Sequence, residues 1–444
     1  MIRRLFILMM FFAPLSNAAD ALYGAFSQLS PPPPGPMAPG TVWSVVVNSS
    51  ALTVDPDSLD FAFPTGPTRN YVRRSAERKG PTTITWIGVS GRDEAIIHAE
   101  EGVVSGVVFN GARHFELEAI QNGTRFEWVD QTKVGEPSLR FPTGAPSPAP
   151  IMRSFAGRSE SNRTREASVD VLFMYTPQAF FAVGGGFGGG LANIRSQINS
   201  AVAATNNAYL QSDANMRINV VGIEAVPAGI QDSCIPPAAI CQSPIYGEAI
   251  LQDLSNTQDS AAIAARRNAV LADAVVLIIE NGGGAAPPNQ LITLCGVANQ
   301  MQQPTLGPAF APFAYSVVRR SCATGNLTLA HELGHNLGLE HNPYEFGGSL
   351  PANPTFSWSF AHAVGGNTSG FHSVMSTNYA CVDFGFVCSL IPRFSNPSMT
   401  WPVDGTPVAT GIENQRDNAR TLRATGAIAE DWRAGFFDDG FENP

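Results

Sequence analysis

The sequence predicts a β-rich N-terminal domain followed by an α/β (α+β) domain, and three observations predict it. Short β runs separated by turn glycines fill residues 41–131. A stretch rich in Pro, Ser, Arg and Asn follows at 142–166, the composition of an exposed linker. Beyond it, apolar strand runs alternate with helical patterns. At 444 residues the chain is also too long for one comfortable core.

Residues 1–18 come first. Arg3 and Arg4 precede an apolar run over 5–13, and Ser16-Asn17-Ala18 offers small residues for cleavage. That run is too short to span a bilayer, so the expectation is a removed signal peptide and a secreted chain without a membrane anchor. A net charge of −10 supplies no broad positive field, which argues against nucleic acid as a partner. In an exported chain, six cysteines favour three disulfides. Spacing leaves the connectivity open. The nearest-neighbour set is preferred: Cys234 with Cys241, Cys295 with Cys322, and Cys381 with Cys388.

A proline run at 31–34 should be extended. The runs at 82–89, 103–109 and 114–120 read as strands of a small antiparallel sheet, with turns at Gly91, Gly102, Gly111 and Gly123. His98 and His114 are single residues on strands and are expected to be structural. Residues 19–165 read as a propeptide plus linker, with Arg158, Arg163 and Arg165 as processing sites.

The second unit is expected to run from 166 to 435. It opens with a buried strand at 169–175. The glycine triplets at 184–190 lack the lysine of a phosphate loop and read as a flexible connection. Apolar spacing predicts helices over 194–210, 249–270 and 418–432, the last turning Leu422, Ala429 and Trp432 inward. Strands are expected at 216–226, 274–279, 296–298 and 314–318. An acidic tail closes the chain at 436–444.

Residues 331–341 carry the chemistry, matching HExxHxxGxxH at every fixed position. A helix over 327–337, with Asn326 as its candidate N-cap, would project His331 and His335 from one face. Glu332 would sit beside the first ligand, placed to take a proton from water. Gly338 can adopt the left-handed conformation that ends a helix, so His341 can return to the same cation. Three neutral imidazoles and an open fourth position describe a catalytic zinc ion, because a structural site would be closed by a fourth protein ligand.

Downstream, Ser373-Val374-Met375-Ser376 resembles the Met-turn of metzincins, with Met375 beneath the metal. The helix containing Asn206-Asn207-Ala208-Tyr209, the segment Leu294-Cys295-Gly296-Val297-Ala298 and the stretch Ile391-Pro392-Arg393-Phe394-Ser395-Asn396-Pro397 are similar to those of secreted bacterial reprolysin-like peptidases. Among these the peptidyl-Asp metalloendopeptidases are most alike. The resemblance implies a metzincin domain with a mixed five-stranded sheet, an active-site helix and a Met-turn. It also implies one catalytic Zn2+, protein or peptide substrates, and zymogen production by way of the propeptide domain.

Under that resemblance the substrate lies extended along an edge strand, with 314–318 the candidate. Arg393 and Tyr379 are the candidates for the substrate pocket, Arg393 giving a preference for acidic residues on the leaving-group side. The sequence departs from the family at Asn342, where the adamalysin-like branch often has Asp. It departs again at Tyr379, four residues after Met375 where astacin-like enzymes place a tyrosine at two. His362 and His372 are expected to be structural, and Glu340 to lie on the surface beside His341. The processed protein is expected to be monomeric. An alternative is a catalytically inactive metzincin-like secreted domain that binds partners or acts as a toxin; retention of Glu332 argues against it.

Overall fold

The computed structural model describes residues 20–21, 23–28, 42–47, 49–52, 55–63, 67–111, 113–120, 125–130, 165–185, 190–235, 240, 248–281, 285–286, 290–291, 294–302, 304–346, 350–351 and 353–433. The expected signal peptide (1–18), most of the linker, the acidic tail and Cys241, the preferred partner of Cys234, lie outside these residues.

The N-terminal unit is one ten-stranded sheet, larger than the sequence predicts. Its strands are β1 (Asp20–Ala21), β2 (Tyr23–Gln28), β3 (Val42–Val47), β4 (Ser58–Phe61), β5 (Arg69–Arg78), β6 (Ile84–Ser90), β7 (Asp93–Glu100), β8 (Val103–Asn110), β9 (Arg113–Ile120) and β10 (Arg125–Asp130). Spatial order is β1-β4-β5-β6-β7-β8-β9-β10-β3-β2, antiparallel throughout except for the β1–β4 pair. Glu101 and Gly102, with φ of 52° and 83°, make the two-residue turn that joins β7 to β8. Two consecutive positive φ values match the right-handed twist of a hairpin.

Alternation along β9 divides its two faces. Phe115, Leu117 and Ala119 join Trp86, Tyr71 and Phe61 in the sheet's own core. His114, Glu116 and Glu118 point the other way, yet they too are buried. What covers them is the second unit.

That unit holds a five-stranded sheet of β11 (Ala167–Tyr175), β12 (Met216–Ala225), β13 (Ala274–Ile279), β16 (Gly296–Ala298) and β17 (Tyr315–Arg319), with a short hairpin, β14 (Ala285–Ala286) and β15 (Gln290–Leu291), set apart from it. The order is β12-β11-β13-β17-β16; β16 alone runs antiparallel to its neighbour. The same unit holds helices α1 (Pro177–Ala182), α2 (Gly190–Gln211), α3 (Glu248–Gln258), α4 (Ala261–Ala269), α5 (Thr328–Asn336), α6 (Tyr379–Val382) and α7 (Asn418–Ala429), and two further small sheets between residues 363 and 409. Both faces of the sheet are covered, as a largely parallel sheet requires. Val171 and Phe173 pack with α2, α5 and α7, whereas Leu172 and Met174 face α3 and α4.

Three expectations need correction. The strand at 314–318 is interior, paired with β13 on one side and β16 on the other, so among the described residues the edge on that side of the sheet is β16, with β12 at the opposite edge. The helix predicted over 249–270 is two helices, because Ser260 starts a new one by accepting from Ile263 N at 3.3 Å. Leu327, in the left-handed region at φ 54°, precedes α5 in place of Asn326. The Asn326 side chain is engaged elsewhere, its Oδ1 3.0 Å from His114 Nε2. The Cys295–Cys322 and Cys381–Cys388 disulfides form as preferred.

The two units share a core. Ile96, Val107 and Phe109 of the first pack into the cluster that holds α2 and α5. Burying side chains of that size stabilises contact by roughly 1.5–3 kcal/mol each, an upper estimate. Polar contacts fix the register. Ser105 Oγ lies 2.6 Å from both Ser196 Oγ and Ser200 Oγ on α2, and Arg320 donates to Glu118 at 2.8 Å. Gly325 N donates to Glu116 at 3.1 Å, only three residues before α5 begins. Among the described residues no helix is long and apolar enough to cross a membrane.

Candidate metal centre

α5 places His331 and His335 one turn apart, and its C-terminus delivers the third histidine. Gly338 N donates to His335 O, and Leu339 N to Gly334 O, both at 2.9 Å. These two bonds close a Schellman motif, which needs a left-handed residue just past the helix. Gly338 supplies it with φ 84°, and a Cβ there would meet Thr355 Oγ1 at 2.4 Å, so no side chain fits. The reversed chain is then held by Glu340 N donating to Ser359 O at 2.7 Å and Ala361 N to Glu340 O at 3.1 Å. His341 therefore returns over the helix.

The three rings meet at their Nε2 atoms. His341 Nε2 is 3.0 Å from that of His331 and 2.9 Å from that of His335. The outer nitrogens are anchored: His331 Nδ1 lies 2.8 Å from Val374 O and His335 Nδ1 3.0 Å from Leu339 O. A carbonyl oxygen only accepts, so both rings carry their proton on Nδ1 and turn a bare Nε2 lone pair inward. His341 Nδ1 lies 3.5 Å from the Glu345 carboxylate. Burial holds His331 near 4, and burial followed by the neighbouring His331 holds His335 near 3, so both rings are neutral at neutral pH. Converging lone pairs repel one another, and a cation relieves that repulsion. The donor set fits zinc, with outer carbonyls and a carboxylate orienting the imidazoles.

Glu332 is buried, and its Oε1 has no hydrogen-bond partner. Burial pushes its carboxyl well above the usual carboxylate range. Leaving such a group unpaired costs free energy, which marks a working position more than a packing one. Its neighbour is Gly296 on edge strand β16, where a Cβ would come within 2.5 Å of Oε1. Met375 is fully buried against the helix, and a Cβ on Gly334 would meet its Sδ at 2.6 Å. Val374, the residue before it, supplies the carbonyl that holds His331.

Other expected site residues fall elsewhere. Arg393 does not present a free guanidinium: it pairs with Glu94 of β7 at 3.2 Å, contacts Gln211 at 3.3 Å and lies over the Trp401 ring. Only its backbone serves the centre, since Val374 N donates to Arg393 O at 2.9 Å. Tyr379 is 54% exposed at the start of α6, outside the buried histidine cluster. Glu340 is buried, not on the surface, and burial lifts its carboxyl to about 8. His362 and His372 lie outside the trio as expected, His362 beside Arg416 and His372 donating to Ser376 O at 2.8 Å. Asn342 Oδ1 accepts from Tyr344 N at 3.0 Å and its carbonyl from Glu345 N at 2.9 Å, shaping the turn that aims Glu345 back.

Sequence reasoning missed Glu345 and Gly296. Glu345 follows the third histidine by four residues, but on a short 3-10 turn that has no periodicity to flag it. Gly296 was legible only as part of a strand, its partner being 36 residues away in α5.

Residues 165–380 match the model of metallo-peptidase family M12. A peptidyl-Asp metalloendopeptidase of Xanthomonas campestris pv. campestris is 23% identical over 79% of this chain and 72% of its own length. Another, from Stenotrophomonas maltophilia, is 23% identical over 62% of this chain; the match spans 55% of that protein, little more than half its length. A metalloproteinase from Bacteroides fragilis superposes over 64% of this chain and 81% of its own at 10% identity, with a TM-score of 0.39, too loose a likeness to bear on the fold.

Proposed function

The domain spanning residues 165–380 belongs to metallo-peptidase family M12, and from that premise we propose that the protein is a secreted zinc-dependent endopeptidase made as a zymogen. One observation carries the reading: three converging Nε2 atoms, two from α5 and one from the chain that returns over it, beside a buried Glu332 whose Oε1 is unpartnered.

His331, His335 and His341 would hold the ion. Bound there, zinc supplies Lewis acidity, activating a water molecule and polarising the scissile carbonyl. Glu332 takes the proton of that water and later returns it to the leaving amine, which requires the base to hold a proton between the two events. Its apolar setting raises its affinity for that proton. Ser373 to Ser376 act as the Met-turn, with Met375 filling the space that Gly334 leaves beneath α5. The extended substrate pairs with the free edge of β16, whose backbone groups recognise any sequence equally.

Residues 19–165 act as the propeptide. In support, β9 turns His114, Glu116 and Glu118 onto the segment leading into α5, and Glu94 occupies Arg393. Removal of that sheet frees Arg393 to pair with an acidic side chain, in keeping with relatives named for aspartyl sites. Residues 1–18 direct export.

The deciding experiment incubates processed protein with a peptide library, with and without chelator, beside Glu332→Ala. Chelator-sensitive cleavage that the variant loses is expected. Cleavage untouched by chelator, or equal cleavage by the variant, would falsify the assignment.

A further inference from the structure

The N-terminal unit carries acid into the body of the second. Along β9, His114, Glu116 and Glu118 alternate onto one side of the strand, and all three are buried. Glu116 accepts from Gly325 N at 3.1 Å and from the Thr324 hydroxyl. Glu118 pairs with Arg320 at 2.8 Å. The same guanidinium donates to Glu280 at 2.7 Å and to Gln197 of α2 at 3.1 Å. Arg319, which donates to Glu280 O at 2.9 Å, is the second cation near Glu118. On the neighbouring strand, β10 sets Glu127 opposite Glu118 in register. His114 lies against Asn326, and His372 beyond it is pushed down to about 4 by burial and adds no charge at neutral pH.

Glu116, Glu118 and Glu280 therefore bring three carboxylates to two guanidiniums. Surplus negative charge away from water is costly unless a proton joins it. Glu118 keeps the direct pair with Arg320, which leaves Glu116 as the seat of that proton. Burial, and then the neighbouring Glu118, raises the Glu116 carboxyl well above the usual carboxylate range. On a separated sheet the same carboxyl meets water and titrates near ~4.3. The docked form holds the proton more tightly, so docking is strongest below that value and weakens as pH climbs through the raised one.

The contact has the apolar surface to outlast a cut in the linker. Ile96, Val107 and Phe109 are buried in the core shared with α2 and α5, and Glu94 pairs with Arg393.

We propose that the N-terminal unit stays docked on the second after the linker is cut, and is shed as the surroundings turn from acid to alkaline, Glu116 giving up a proton as it leaves. The occupant of this face is the chain's own first unit. This rests on the zymogen reading above, and its test follows binding apart from activity.

The full chain carrying Glu332→Gln is given a site for a sequence-specific protease between Ala145 and Pro146, cut there, and labelled with fluorescein at its N-terminus. Anisotropy on serial dilution between pH 5 and 8 gives the dissociation constant. One bound proton allows a change of about ten-fold per pH unit at most, and a rise of at least about thirty-fold across the range is expected. Glu116→Gln copies the neutral carboxyl and points away from the sheet's own core, so the sheet should fold, and circular dichroism checks it. That variant should dock as tightly as the wild type at pH 5 and keep that affinity to pH 8.

A wild-type constant that stays flat or falls as pH rises overturns the proposal, whatever the variant does. So does a folded variant that follows the wild-type profile or fails to dock. Pieces that part at pH 5 overturn retention after the cut. With Glu332 restored, a cut chain that cleaves a peptide no faster once its pieces have separated overturns the zymogen reading and leaves the proton linkage standing.

Discussion

Gly296 stands against Glu332 so closely that any Cβ would intrude to 2.5 Å from its carboxylate. The edge strand and the Glu332 carboxylate are thereby coupled through the lack of a side chain. Substituting Gly296→Ala should displace the carboxylate, or the strand, by a few tenths of an ångström or more. General-base catalysis is worth about 10²–10⁴-fold, so a loss of roughly 10²-fold in kcat is expected. Zinc content, measured by atomic absorption, should remain near one per chain. Full activity in this variant would show that the close approach of Gly296 does not fix the position of the Glu332 carboxylate.

Glu345 orients His341 from behind. Glu345→Gln keeps an oxygen for Thr377 N but removes the negative charge that faces His341 Nδ1. Partners of this kind typically change metal affinity about 10–100-fold. Competition with a chromophoric chelator measures it, and an unchanged affinity would deny Glu345 that part.

The Glu94–Arg393 pair joins residues 299 positions apart and ties the N-terminal sheet to the segment beside Val374. Both partners are largely buried, so removing one leaves the other short of its partner. Glu94→Ala should hasten release of the N-terminal unit in limited proteolysis, several-fold at least. In processed protein, Arg393→Ala should erase any preference for Asp or Glu. Identical cleavage sites in a peptide library would sink the acidic pocket.

Asp253 and Asp273 are each lifted to about 7 by burial. An unfolded Asp titrates near ~3.9, so the folded state holds these protons more tightly. Their contribution is complete below about pH 4 and is lost as pH climbs through 7. Asp253→Asn keeps the acceptor for Ser233 N, 2.7 Å away, and removes one titration. Between pH 5 and 8 the wild type should lose on the order of 2 kcal/mol more stability than this variant. Thermal melts across that range test it, and parallel curves would refute the assignment to Asp253.

The cluster of three histidines was legible in the sequence because its geometry is local. His331, His335, Gly338 and His341 lie within eleven residues, and helix pitch plus one left-handed glycine dictate where they go. Non-local geometry was hidden. β16 is only three residues long, so nothing in its sequence reveals that it, and not residues 315–319, forms the free edge. Arg393 looked like a pocket residue because its neighbours are apolar, but its partner sits in another domain. The N-terminal sheet was underestimated for a related reason: β1 to β3 are short and separated, and only pairing with β4 and β10 reveals them.

The Cys295–Cys322 bridge joins the residue before β16 to the turn that leads into α5. Such a bond forms outside the reducing cytosol. On the export reading, the two walls of the cleft are stapled together only after the chain has left its maker. On that reading a nascent molecule leaves the cytosol with this bridge still open.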